Sequence, residues 1–166
     1  MSQSGKSEDF KKAREYAYRL FKFRLRSISE FRGRLSKRGF GEDVISGLVD
    51  DFKRRGLLDD IKFAKAWVTD RARLKPMGRL RIRMELEAKG IDRECIERVF
   101  DETAPEADEY EIAKTLAQRR TRHSGRLDRL TLQRRLLGFL KRRGFSYDVV
   151  NKVVKEVTKD EGRCNP

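Results

Sequence analysis

Three stretches of this chain fall on one template built around a glycine. In RLSKRGFGEDVISGLV from Arg34, ELEAKGIDRECIERVF from Glu85 and FLKRRGFSYDVVNKVV from Phe139, a leucine stands four residues before the glycine and an apolar residue directly follows it. Aligned on Gly39, Gly90 and Gly144, the leucines are Leu35, Leu86 and Leu140 and the following residues are Phe40, Ile91 and Phe145. Apolar pairs then recur at helical spacing, Val44/Ile45, Cys95/Ile96 and Val149/Val150, followed by Leu48/Val49, Val99/Phe100 and Val153/Val154. Each copy therefore ends in an amphipathic helix. A glycine in the left-handed conformation just past a helix end, with an apolar contact between the residues either side, is the Schellman arrangement. Gly41, Asp92 and Ser146 then stand where the next helix wants its N-cap, with Asp43, Glu94 and Asp148 in its first turn.

A third element precedes each copy. Tyr16/Ala17 with Leu20/Phe21, Phe63/Ala64 with Trp67/Val68, and Ile112/Ala113 with Leu116/Ala117 make an apolar stripe of the same kind. The unit is thus three helices, repeated at about 50 residues, which is the mark of stacked repeats. The expected fold is all-α, an elongated array of three tandem three-helix repeats: 13–57, 58–104 and 105–158, flanked by polar tails over 1–12 and 159–166. The connections LKPMG and RRTRHSGRLDR read as loops of the second and third repeats.

With 37% apolar and 41% charged residues, several small cores suit this chain better than one large one. No apolar run approaches the roughly 18 residues of a membrane span, and MSQSGKSEDFKK has no apolar signal segment, so a cytoplasmic protein without a membrane partner is expected. Cys95 takes the repeat position of Val44 and Val149 and is expected as a buried small hydrophobe; Cys164 lies in the polar tail. A single histidine, His123, makes neither a metal site nor a triad, so no metal and no cofactor is expected. No phosphate-cradling loop, catalytic carboxylate pair or nucleophile constellation is present, which argues against an enzyme. Glu85 and Glu87, two apart on a helix, face different directions and read as surface. Trp67 falls on the buried stripe and reads as core.

The charge speaks of partners. A net charge of +14 implies long-range attraction to polyanions. It is concentrated: Lys114 to Phe145 holds eleven basic residues against one acidic one, RARLKPMGRLRIR from Arg71 holds six bases and no acid, and DETAPEADEYE from Asp101 holds six acids and no base. Arginine dominates both basic runs, which favours bidentate pairing with phosphate or with carboxylates of an acidic protein surface. The candidate contact residues are Arg71, Arg73, Lys75, Arg79, Arg81 and Arg83 in the first run, and Arg119, Arg120, Arg122, Arg126, Arg134, Arg135, Lys141, Arg142 and Arg143 in the second. Arg79, Arg81 and Arg83 alternate with Leu80 and Ile82, so a helix there spreads them over more than one face.

The run GLLDDIKFAKAWVTDRARLKPMGRLRIRMELEAKGI, Gly56 to Ile91, resembles the central part of the RecX family, regulators of the bacterial RecA recombinase. The likeness rests on the Gly-apolar-Leu-Asp-Asp start, the Phe-Ala pair, the tryptophan, and a glycine followed by arginines before Glu85-Leu86 and Lys89-Gly90-Ile91. It departs at Leu57, where the family commonly has an aromatic. The resemblance extends from about Ala13 to Val154 and implies three tandem three-helix repeats. It also implies binding along the RecA–single-stranded DNA filament and limiting its growth or strand exchange, without catalysis. The expected partners are the RecA filament and, weakly and salt-sensitively through the basic faces, single-stranded DNA; the chain is expected to be a monomer. The rival reading is a tandem helix-turn-helix-like module acting on DNA directly. It would need a recognition helix in each repeat, and RECIERVFDE is acidic.

Overall fold

A computed structural model of the chain describes residues 3–103, 106–123, 125 and 127–160. Among these, nine helices and no strands are found: α1 (Gln3–Phe21), α2 (Ile28–Ser36), α3 (Glu42–Arg54), α4 (Asp60–Arg73), α5 (Arg79–Glu87), α6 (Arg93–Thr103), α7 (Glu106–Arg122), α8 (Arg129–Arg142) and α9 (Tyr147–Asp160). They form three successive triplets, the all-α tandem arrangement expected from the glycine template. The chain divides into two compact units, Met1–Lys65 with Leu86–Ile96, and Ala66–Glu85 with Glu97–Pro166.

The template is made by backbone hydrogen bonds that span no more than six residues. Gly39, Gly90 and Gly144 have φ of 84°, 75° and 78°. At each corner the residue after the glycine donates to the leucine carbonyl: Phe40 to Leu35 at 3.3 Å, Ile91 to Leu86 at 3.1 Å, Phe145 to Leu140 at 3.3 Å. The glycine N–H itself reaches back three residues, to Ser36, Glu87 and Lys141. Both bonds of the Schellman motif are therefore present three times. The next helices start as anticipated: Asp92 Oδ1 accepts from Cys95 N at 2.9 Å, while Gly41 offers no side-chain bond to α3. Asp59 caps α4 by accepting from Lys62 N at 3.0 Å.

In the first unit α1, α2 and α3 pack on one another around Ala13, Ala17, Leu20, Phe31, Leu35, Ile45, Leu48, Val49, Phe52 and Leu58. Phe21, Phe31 and Phe52 pack ring against ring with centroids 5.4–5.7 Å apart. α1 starts at Gln3, within the stretch 1–12 expected as a polar tail, because Phe10 extends the apolar stripe and packs on this core. In the second unit α7, α8 and α9 enclose Ala113, Ala117, Leu132, Leu136, Leu140, Phe145, Val150, Val153, Val154 and Val157.

Several expectations change. Trp67 is half-buried rather than fully core, since its indole N–H has a carboxylate to satisfy it at the edge of the unit. Cys95 is half-buried, like Val44 and Val149 at the same repeat position. Cys164 lies outside the described residues. The acidic stretch 101–111 is largely helical, ending α6 and opening α7, and Arg119, Arg120 and Arg122 belong to the last turn of α7 rather than to a loop. Cations at that end complement the negative pole of the helix.

Candidate functional site

Every candidate contact residue belongs to the second unit. The residues that enter α5 explain how its arginines are held. Gly78 lies so close to the α8–α9 corner that a Cβ there would sit 2.2 Å from the Gly144 carbonyl oxygen. In return Gly78 N donates to Arg143 O at 2.9 Å and Leu80 N to Gly144 O at 3.1 Å. The last carbonyls of α8 thus find donors at the start of α5, as buried helix ends require. Arg143 Nη1 closes the contact on Pro76 O at 2.8 Å. Glu109, 7% exposed on α7, accepts from Arg79 N at 2.9 Å, placing a carboxylate at the positive end of α5.

The cations divide by what they already touch. Arg71 lies over the Trp67 ring at 4.4 Å and donates to Glu85 Oε2 at 2.6 Å; Trp67 Nε1 donates to the same oxygen at 3.0 Å, and Arg81 Nε stands 3.5 Å from Oε1. Glu85, expected on the surface, is the hub of this cluster. Partial burial pushes its carboxyl pKa up, but the bonds from Arg71 and Trp67 and the charges of Arg71 and Arg81 outweigh that and hold it below its ordinary value. Arg79 and Arg83 both cover Phe100, at 4.8 and 5.7 Å, and Arg83 pairs with Glu97 at 2.6 Å. Arg120 and Arg143 both lie over Phe139, at 5.6 and 4.9 Å. These side chains hold the unit together through charge-assisted and cation–π contacts.

The remaining cations are open to a partner. Arg73, Lys75, Arg119, Arg122, Arg134, Arg135, Lys141 and Arg142 are exposed and pair with no carboxylate among the described residues, Lys141 lying 5.4 Å over the Tyr147 ring. Arg126 lies outside the described residues. Exposed apolar side chains are interspersed with them: Leu74 between Arg73 and Lys75, Leu80 and Met84 one turn apart on α5, and Leu130 at the start of α8. His123 is exposed, with Nδ1 2.7 Å from Arg119 O, and no metal-holding group of side chains is found among the described residues.

Residues 59–99 and 107–154 match the family models for the second and third three-helix domains of RecX. Over 155 residues the chain is 34% identical to the regulatory protein RecX of Amycolatopsis mediterranei, covering 93% of this chain and 88% of that one. The chain belongs to the RecX family. It is also 32% identical to the regulatory protein RecX of Mycobacterium avium, over 86% of this chain and 82% of that one. The crystal structure of RecX from Lactobacillus salivarius matches with a TM-score of 0.81 at 25% identity, covering 91% of this chain and 97% of that one. The RecX relatives are named as regulatory proteins, and this chain shares that regulatory family.

One part of this RecX-family surface escaped the sequence reading. A cleft of about 1040 Å³ is lined by Lys152, Lys155 and Lys159 of α9 and by Arg79 and Arg83, with the carboxylates Glu97, Glu109, Asp148 and Glu156 also in its wall. The three lysines are exposed and pair with no carboxylate among the described residues, whereas Glu156 between them is engaged by Lys114 at 2.7 Å and by the Tyr110 hydroxyl. Their spacing on α9, three and four residues apart, was a usable signal. It was hidden because this stretch is not net-basic enough to stand out from the runs before it.

Proposed function

We propose that this chain binds the RecA–single-stranded DNA filament and limits its growth, ATP hydrolysis and strand exchange by occupancy rather than by catalysis. The observation that carries this reading is the set of exposed cations in the second unit that pair with no carboxylate among the described residues, interleaved with exposed Leu74, Leu80 and Met84. Phosphates call for the cations and a protein partner calls for the apolar side chains, so a nucleoprotein surface suits the mixture. The contact set is narrower than the sequence implied. Arg73, Lys75, Arg119, Arg122, Arg134, Arg135, Lys141 and Arg142, joined by Lys152, Lys155 and Lys159, reach outward, while Arg71, Arg79, Arg83 and Arg143 serve the fold.

A tandem helix-turn-helix reader of DNA receives less support. Its third helices would enter the groove, yet α6 carries RECIERVFDET and α3 opens with Glu42 and Asp43. The test is ATP hydrolysis by RecA on single-stranded DNA, titrated with this protein as a monomer in solution. A fall in the steady-state rate near stoichiometric amounts is expected; no change at those amounts sinks the proposal. A DNA reader would bind duplex or single strands equally well without RecA.

A further inference from the structure

The turn between α1 and α2 carries an aromatic ring that the fold does not use. Phe23 is 85% exposed, more than any other large apolar side chain among the described residues, and Leu25 beside it is 48% exposed. They alternate with Lys22, Arg24 and Arg26. The turn is nevertheless held in place. Arg26 Nε donates to Leu20 O at 3.2 Å, Arg24 grips both carboxylate oxygens of Glu30 at 2.9 and 3.2 Å, and Ser27 caps α2 through Glu30 N at 3.1 Å. A ring on a tethered turn is presented to solvent at little further ordering cost.

Beside it lies a hollow of about 290 Å³ lined by Arg24, Glu30, Gly33, Arg34 and Lys37. Glu30 brings no free negative charge there, because Arg24 and Lys89 both pair with it, Lys89 at 2.8 Å. Arg34 and Lys37 are exposed and pair with no carboxylate among the described residues. Gly33 leaves the wall of α2 open, with nothing within 4 Å of where its Cβ would be.

We infer that this turn and hollow form a single-stranded nucleic-acid subsite, in which Phe23 stacks on a base and Arg34 and Lys37 hold a neighbouring phosphate. An aromatic platform next to a cationic groove is the arrangement by which single strands are bound without sequence readout. A ring that alternates with guanidinium and ammonium groups, with exposed Leu25 as its apolar neighbour in the turn, suits a base better than an apolar protein surface or a lipid bilayer. The inference rests on the filament-binding reading and extends it by adding a direct DNA contact in the first unit.

The test uses the full chain and two fluorescent 20-mers, oligo-dT and an abasic strand of equal length. Phe23→Ala should weaken binding to oligo-dT about tenfold, the effect of one lost base stack, and leave the abasic strand unaffected. Phe23→Trp should retain the affinity, and Phe23→Leu should lose it as alanine does. Arg34→Ala with Lys37→Ala should weaken both strands and flatten the dependence of log Kd on log salt by about 0.7, the contribution of one phosphate. Parent-like affinity of Phe23→Ala for oligo-dT overturns the inference. So does an equal loss on both strands, or a loss seen only with DNA-free RecA or with anionic lipid vesicles. Far-UV circular dichroism melts of the variants confirm folding. If the parent leaves RecA ATP hydrolysis unchanged yet binds oligo-dT in a Phe23-dependent way, the filament proposal fails while the subsite stands.

Discussion

Gly39 and Gly144 occupy the same template position with nearly the same φ, 84° and 78°, yet their surroundings differ. A Cβ on Gly39 meets nothing within 4 Å, whereas one on Gly144 would lie 2.4 Å from both N and Cβ of Arg81 and 2.9 Å from its Cα. Gly39→Ala should therefore pay only for a left-handed backbone, about 1–2 kcal/mol. Gly144→Ala carries the same cost and also pushes the start of α5 away. That weakens the bonds from Gly78 N to Arg143 O and from Leu80 N to Gly144 O, each contributing about 1 kcal/mol. The total is about 3–4 kcal/mol. At about 3 °C per kcal/mol for a chain of this length, melting should fall by about 5 °C for Gly39→Ala and about 10 °C for Gly144→Ala. Far-UV circular dichroism follows both; fluorescence of Trp67, the single tryptophan and part of the second unit, follows Gly144→Ala. Equal shifts for the two variants would show that α5 does not dock on the α8–α9 corner.

Three further outcomes are expected. Changing Arg119, Arg120 and Arg122 together to glutamate should weaken RecA filament binding strongly at low salt and less at high salt, with a stability cost on the order of 1–2 kcal/mol from the end of α7; parent-like affinity at low salt removes this turn from the interface. Trp67→Ala should cost about 2–3 kcal/mol, less than for a fully buried ring, because the indole is half-buried but satisfies Glu85; normal melting with lost filament binding would make it a partner anchor instead. Glu30 is pushed up by partial burial but pulled down more strongly, to about 2, by bonds from Arg24 and Lys89. With the folded pKa below the unfolded one, its stabilisation is present above about pH 4.5 and is lost as pH falls toward 2, so Glu30→Gln should flatten the melting temperature between pH 4.5 and 2 relative to the parent. A parallel acid limb in the two proteins would contradict this.

The repeated corners were legible in the sequence because each is closed by bonds between residues no more than five apart. A leucine, a glycine and an apolar residue at fixed offsets suffice to write Leu35–Gly39–Phe40 and its two copies. The amphipathic stripes were legible for the same reason, since helical periodicity is local, and the family likeness rests on these scaffold positions. What the sequence could not rank was its own arginines. Arg71 reaches Glu85, Arg83 reaches Glu97, and Arg143 reaches Pro76, pairs separated by 14 to 67 positions that only folding brings together. Gly78 reads locally as a loop residue, and its need to be glycine comes from Gly144, a different corner of the chain. Glu109 likewise was one of six acids in the run from Asp101 until α7 turned it onto the start of α5. Charge along a sequence shows how much attraction a chain can exert. Which charges remain free to exert it depends on the carboxylates and rings that tertiary packing sets beside them, because a cation already paired with a carboxylate at 2.6 Å has little left to offer a phosphate.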